Sequence, residues 1–133
     1  MNGDLNTWRR VFELNFFTPL AMSRGFATAL GKGAKDRGAA VVNITSIAGH
    51  SIHPFAGSAY ATSKAALSAL TRELAVEFAS LGIRVNAIAP GEIETDMIGA
   101  EYEPLINRIP MHRMGKAEEV AACVFHMCSK DFS

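Results

Sequence analysis

The run AAVVNITS at residues 39–46 and the run IRVNAIAPG at residues 83–91 decide the fold of this chain. Both are short, apolar and rich in β-branched residues, as is typical of strands that are covered on both faces in a parallel sheet. The first run ends in two polar residues and the second ends in a Pro-Gly turn. We therefore predict two buried strands, at residues 39–44 and 83–89.

A helical pattern precedes the first strand. Its apolar residues recur every three or four positions, which predicts one helix with an apolar face: Trp8, Val11, Phe12, Phe16, Leu20 and Phe26. Asp4 or Asn6 can cap its N-terminus, because a short polar side chain before a helix accepts a hydrogen bond from a free backbone amide. Gly31 and Gly33 are expected to end it.

Two further helices are expected. The first runs from about residue 58 to about residue 80 between the two strands, and Gly82 is its natural C-cap. The next opens near Ala117, after a long loop at residues 92–116 that contains two prolines and is typical of a functional lid or a disordered segment. Alternation of helix and strand in this order predicts an α/β fold with a parallel sheet and right-handed crossovers.

The composition indicates a globular protein without a charge bias. Its 133 residues fit one domain, and 49% hydrophobic against 20% charged residues excludes a disordered or fibrous chain. Thirteen basic residues balance thirteen acidic ones, so no net charge favours nucleic acid or an anionic membrane as a partner.

The cysteines and the apolar stretches bear on the compartment. Cys123 and Cys128 lie five residues apart on a predicted helix, which leaves them poorly placed to form a disulfide. No apolar stretch approaches the roughly 20 residues that cross a bilayer, and Met1 is not followed by a basic segment and an apolar core. We therefore expect a soluble protein that stays in the reducing cytoplasm.

Tyr60 and Lys64 lie four residues apart on a predicted helix, so their side chains share one face. A fixed cation close to a phenol favours the ionised form, which can act as a base. Ser46 ends the first strand, at the edge where open α/β sheets bind ligands, and its hydroxyl can donate to a substrate carbonyl. A Tyr/Lys pair alone is more often an ordinary helix-surface contact, so the interpretation depends on the surrounding residues.

The surrounding motifs resemble those of the short-chain dehydrogenase/reductase family, and together they run through nearly the whole chain. YATSK at residues 60–64 matches the family's Tyr-x-x-x-Lys motif, and NITSIAG at residues 43–49 resembles its strand with the active-site serine. RVNAIAPG at residues 84–91, followed by Ile93 and Thr95, is similar to the segment that lines the nicotinamide pocket.

The resemblance implies a Rossmann-like doubly wound parallel sheet and hydride transfer between NAD or NADP and an alcohol or carbonyl substrate. Tyr60 is then the general acid/base, Ser46 orients and polarises the substrate, and Lys64 favours the phenolate and holds the nicotinamide ribose. Asn15 sits where the family keeps its fourth catalytic residue. The implied cofactor-binding set has six members: Tyr60, Lys64, Pro90, Gly91, Ile93 and Thr95.

By the same resemblance, Asn15 supports a proton-relay water. Pro19 offers a physical reason, since it has no amide hydrogen to donate to the carbonyl four residues back, which belongs to Asn15. Pro19 is equally well explained as a simple helix kink.

His50 and His53 form a His-x-x-His pair. No cysteine or carboxylate cluster in the sequence completes a metal site around them. We therefore predict no bound metal and expect loop histidines that are exposed or satisfied by other protein groups.

Two parts of the resembled enzymes have no counterpart in residues 1–133. The sequence has no Gly-x-x-x-Gly-x-Gly turn to bind the cofactor pyrophosphate and no Asn-Asn-Ala-Gly strand end. We predict a single partial domain, the catalytic half of the fold, with about two strands and three main helices. The alternatives to an active enzyme are a non-catalytic fragment that only associates, and, less favoured, a binding module that reuses the fold.

A sheet of two parallel strands would expose unpaired edges and apolar faces. We expect either a homo-oligomer packed through the helices near residues 6–30 and 58–80, or a longer polypeptide whose remaining strands complete the sheet. Apart from such a protein partner, a small-molecule alcohol or carbonyl substrate is the expected ligand.

Overall fold

The structure is a computed structural model, which describes residues 3–95 and 103–132. Its strands and principal helices follow the predicted order: α1 Leu5–Phe12, a π-helical turn Glu13–Phe17, α2 Thr18–Arg37, β1 Ala39–Ile44, a 3₁₀ turn Ile47–Gly49, α3 Ser58–Ala79, β2 Ile83–Ile88, α4 Glu103–Ile106 and α5 Ala117–Cys128.

The first helical segment is interrupted by a π-helical turn that the sequence did not predict. The segment begins at Asp4, whose carboxylate accepts a hydrogen bond of 2.8 Å from the amide of Thr7, so this predicted cap is confirmed. In the turn, the amide of Thr18 donates to the carbonyl of Glu13, and Pro19 follows directly, without an amide hydrogen. Such π turns change the direction of the following side chains and are frequent at functional sites.

The prediction that Gly31 and Gly33 end the first helical segment was wrong. α2 continues to Arg37 and ends at Gly38, whose φ is 78°. Glycine inside a helix costs only about 1 kcal/mol relative to alanine, which packing can offset. Leaving the helix required a positive φ, which glycine adopts readily, and Gly38 is the residue that supplies it.

β1 and β2 form the parallel pair that the sequence predicted. The register joins Ala39 to Ile83 and Ile44 to Ile88, so both strands reach the same edge of the sheet together. β2 ends one residue earlier than predicted. At the carboxyl edge, Thr45 donates to the carbonyl of Ile88 from its amide at 2.8 Å and from its hydroxyl at 2.9 Å. The residues that follow the two strands are therefore neighbours.

α3 covers the sheet and contributes Leu74 and Phe78 to the core. It spans the predicted range, although its C-cap is Ser80, and Gly82, with φ 70°, lies in the turn beyond. Asn43 of β1 donates a buried hydrogen bond of 2.9 Å to the hydroxyl of Thr71, which stabilises the position of α3 on the strand. The core cluster consists of Ala39, Leu74, Phe78, Ile83 and Val85.

The end of α5 is tied to β2 by Arg84. Its guanidinium donates to the carbonyls of Met127, Ser129 and Phe132 at 2.8–3.0 Å, which suits a cation near a helix C-terminus. Cys123 and Cys128 on α5 are free, as their spacing predicts, and both are exposed. No helix in residues 3–95 and 103–132 is long and apolar enough to span a membrane.

The loop predicted at residues 92–116 has structure of its own. Its first residues pair with its last ones, since Ile93 and Gly115 form a parallel bridge in which Gly115 donates to Glu92 at 2.9 Å. α4 lies within it. Residues 96–102 of this loop lie outside the described residues, so its interpretation as a lid stays a prediction.

Candidate active site

A cavity of about 660 Å³ opens at the carboxyl edge of the two strands. Its walls come from the turn after β1, the first turns of α3, the segment after β2 and the start of α5. Open α/β sheets bind ligands at this edge. Seven of the eight predicted catalytic and cofactor-binding residues line the cavity: Ser46, Tyr60, Lys64, Pro90, Gly91, Ile93 and Thr95.

Ser46 is held by the 3₁₀ turn that follows it. Its hydroxyl oxygen accepts a hydrogen bond of 3.2 Å from the amide of Ala48, and its side chain is buried against the cavity wall. Within the described part of the chain this hydroxyl donates to no other group, so its hydrogen can serve a ligand. The arrangement suits a group that polarises a carbonyl.

Gly49 lets this turn lie directly on α3. A Cβ atom at Gly49 would stand 2.8 Å from the amide nitrogen of Ala65 and 2.9 Å from the carbonyl carbon of Lys64. Backbone atoms of a helix cannot move away as a flexible side chain can, so only glycine fits at this position. The contact brings the serine turn against the helical turn that carries Lys64.

Tyr60 and Lys64 share one face of α3, as their spacing predicts. The Lys64 ammonium lies 5.7 Å from the centroid of the Tyr60 ring, near the outer limit of a cation–π contact. It donates at 2.8 Å to the carbonyl of Ile44, the last residue of β1. Partial burial lowers the pKa of Lys64 below its usual value. The Tyr60 side chain is 39% exposed and open to the cavity.

Asn15 does not line this cavity. Its amide donates at 3.0 Å to the hydroxyl of Ser63, which is fully buried and donates at 2.8 Å to the carbonyl of Tyr60. Asn15 therefore holds the helical turn of the tyrosine. A second cavity, of about 330 Å³, lies beside Asn15 and Pro19, and Lys64 lines both cavities.

His53 and Glu92 form a hydrogen-bonded pair in the cavity wall that the sequence did not predict. The imidazole Nε2 lies 2.6 Å from a carboxylate oxygen of Glu92, and the two side chains are 17% and 16% exposed. The Nδ1 atom of the same ring accepts hydrogen bonds from the amides of Phe55 and Ala56, at 3.3 and 3.2 Å. Both members of the pair line the cavity.

The two histidines of the His-x-x-His pair are engaged by different protein groups. His50 contacts the hydroxyl of Ser68 at 3.2 Å, whereas His53 contacts Glu92. Across the residues that the structure describes, no group of three or more His, Cys, Asp or Glu side chains is arranged to hold a metal ion.

The cavity offers groups that fit one half of a nicotinamide cofactor. The Lys64 ammonium and the Tyr60 hydroxyl are donors for ribose hydroxyls, and the Thr95 hydroxyl can bond to a carboxamide. Pro90 and Gly91 present a surface without long side chains, on which a flat ring can lie. The phosphate half would need a glycine-rich turn, a motif that residues 1–133 do not contain.

Comparisons with known proteins identify the family of this chain. A family model described as enoyl-(acyl carrier protein) reductase matches residues 1–133. The chain belongs to the short-chain dehydrogenase/reductase family. This membership confirms the resemblance drawn from the motifs.

Among curated relatives, the chain is 52% identical over 125 residues to Protein FixR of Bradyrhizobium diazoefficiens, covering 93% of this chain and 44% of the relative. It is 37% identical over 137 residues to galactitol 2-dehydrogenase (L-tagatose-forming) of Cereibacter sphaeroides, covering 97% and 52%. The chain thus spans about half the length of the curated relatives it matches.

A solved structure of a 3-oxoacyl-[acyl-carrier protein] reductase with bound NAD from Brucella melitensis superposes with a TM-score of 0.87 and 31% identity. The match covers 97% of this chain and 47% of that one. The Rossmann-like fold and its partial extent, with two strands, are therefore confirmed.

Proposed function

We propose that this chain is the catalytic half of an oxidoreductase that moves a hydride between NAD or NADP and an alcohol or carbonyl substrate. The observation that carries the proposal is one cavity lined by a hydroxyl from the serine turn and by the phenol and ammonium of α3. These are the groups needed to polarise a carbonyl and to exchange a proton with it. A structural relative with bound NAD supports a nicotinamide cofactor.

When bound, the nicotinamide ring donates or accepts the hydride. In carbonyl reduction, Ser46 donates a hydrogen bond to the substrate oxygen, and the Tyr60 hydroxyl donates the proton that completes the alcohol. In alcohol oxidation the Tyr60 phenolate accepts that proton. The Lys64 ammonium, which lies beside the Tyr60 ring, can donate to the cofactor ribose.

Asn15 completes this proposal through the second cavity. We infer that a proton released at Tyr60 passes the Lys64 ammonium to the Asn15 side of β1, because Lys64 lines both cavities. The carbonyl of Asn15 lacks a donor four residues on, where Pro19 stands. That carbonyl is our candidate for the group that orients a relay water.

The proposal is tested by Lys64→Met in the purified protein. We expect weaker nicotinamide binding, because the ribose hydroxyls lose an ammonium donor, and slower alcohol oxidation, because the cation beside the Tyr60 ring is lost. Cofactor fluorescence titration and rates of absorbance change of the reduced cofactor measure the two effects.

Lys32→Met is the matched control, since Lys32 is exposed on α2 and lines neither cavity. It should bind the cofactor and oxidise the alcohol as the wild-type protein does. If wild-type protein whose intact mass has been verified shows neither cofactor binding nor turnover, the proposed activity is wrong for this chain.

The alternative function, self-association without catalysis, has one observation in its favour. The π-helical turn and α2 expose four large apolar side chains: Leu14, Phe17, Met22 and Phe26. Such a patch is typical of an interface. We infer that the chain forms homo-oligomers through this face together with α3.

Light scattering of the purified protein tests this association. We expect a mass above that of one chain, and we expect Phe26→Lys to lower it by placing a charge in the patch. Lys35→Glu, at an exposed position further along α2, should leave it unchanged. A dilute monomer of 14.3 kDa that unfolds cooperatively would contradict the inference.

A further inference from the structure

The hydrogen bonds of His53 determine its tautomer. Its Nδ1 accepts from the amides of Phe55 and Ala56, so Nδ1 carries no hydrogen. The hydrogen of the ring is then on Nε2, which donates it to Glu92 at 2.6 Å. Both nitrogens of His53 are thus hydrogen-bonded within the protein. Of the two side chains, only Glu92 keeps free hydrogen-bond acceptor positions.

Glu92 presents its free acceptor positions to the cavity. A carboxylate offers about four acceptor positions, and His53 occupies one of them. The His53 contact and the loop pairing beside Gly115 hold Glu92 in place, and its side chain is only 16% exposed. A partly buried carboxylate of this kind requires hydrogen-bond donors from whatever enters the cavity.

The charges in the cavity restrict what that donor can be. The charged groups among its described lining residues are Glu92 and Lys64, while most of the wall is apolar. Glu92 would repel an anionic substrate group, and the Lys64 ammonium in the same cavity would oppose a cationic one. The group that suits both is a neutral donor, and in an alcohol or carbonyl substrate that donor is a hydroxyl.

We propose that Glu92, positioned by His53, binds a second hydroxyl group of the substrate, so that the site selects polyhydroxylated alcohols and their carbonyl counterparts over monohydric and anionic ones. This inference rests on the proposed function, because it names the substrate class of the same cavity. Glu92 is the specificity-determining residue and His53 the positioning residue.

The test compares secondary alcohols of three to six carbons that differ in one feature: the monohydric alcohol, the matched diol or polyol, and the matched hydroxy acid. We expect kcat/KM to favour the diol or polyol over the monohydric alcohol by about 10- to 100-fold, the range of a hydrogen bond to a charged group. The hydroxy acid should be the poorest substrate.

Variants separate recognition from a structural role. Glu92→Ala should bring the diol-to-monohydric ratio close to one, and His53→Ala should lower it in part, whereas loss of a merely structural contact would slow both alcohols alike. Glu94→Ala is the matched control, since Glu94 is exposed two residues further on and does not line the cavity. Its ratio should equal that of the wild-type protein.

The same alcohols are also measured as ligands by ligand-detected NMR. If none is turned over but the polyol still binds more tightly than the monohydric alcohol, and Glu92→Ala removes the difference, the proposed function fails and the recognition stands. A wild-type ratio near one in both turnover and binding, or a ratio that Glu92→Ala leaves unchanged, would overturn the inference.

Discussion

Tyr60→Phe is expected to lower turnover by about 10²- to 10⁴-fold, the contribution typical of a general acid/base. The substitution removes only the hydroxyl, and because the side chain is open to the cavity, no core packing is lost with it. Cofactor affinity should change little, since Lys64 and Thr95 remain as donors. Turnover at saturating substrate and a cofactor titration on the same sample measure the two quantities.

Thr62→Val is the matched control, because it also removes one hydroxyl from α3. That hydroxyl donates only to carbonyls of its own helix, at Ser58 and Ala59, and Thr62 does not line the cavity. Its turnover should stay within a few-fold of wild type. Near-normal turnover in Tyr60→Phe would show that another group transfers the proton.

The strands and the helix between them could be predicted almost to the residue because their signals are local. β1 has the predicted bounds, and α3 begins at residue 58, directly after the turn-rich segment that precedes it in the sequence. The parallel pairing follows from the alternation of elements, and parallel strands bring their carboxyl ends to one edge. Residues from separate motifs, such as Ser46 and Ile93, could therefore be expected around one cavity.

Features that depend on contacts between distant segments could not be predicted. α2 passes Gly31 without ending, and a Cβ atom there would lie 3.5 Å from Leu81, so the helix is supported by packing that its own sequence does not reveal. His53 and Glu92 are separated by 39 residues, and neither belongs to the motifs that carry the family resemblance. The histidine by itself indicates only an ordinary loop residue.

Gly49→Ala is the second substitution for which we expect a large effect. The new Cβ would lie 2.8 Å from a backbone nitrogen of α3, a distance that the helix cannot relieve without moving. We expect the serine turn to shift away, at a cost of about 1–3 kcal/mol in the free energy of unfolding, as for other overpacked sites. Chemical denaturation measures this loss.

Turnover should fall further than stability alone explains. Ser46 accepts from Ala48 in the same turn, and the amide of Gly49 donates to the carbonyl of Ser46 at 3.0 Å, so displacement of Gly49 moves the serine with it. A misplacement of about 1 Å in a reacting group can cost about 10²-fold in rate, so we expect at least that loss in the folded fraction.

Gly25→Ala is the control, because a Cβ atom at Gly25 meets nothing within 4 Å. This variant should keep wild-type turnover and stabilise α2 by up to about 1 kcal/mol. If Gly49→Ala keeps full turnover while folded, the contact between the serine turn and α3 does not position Ser46.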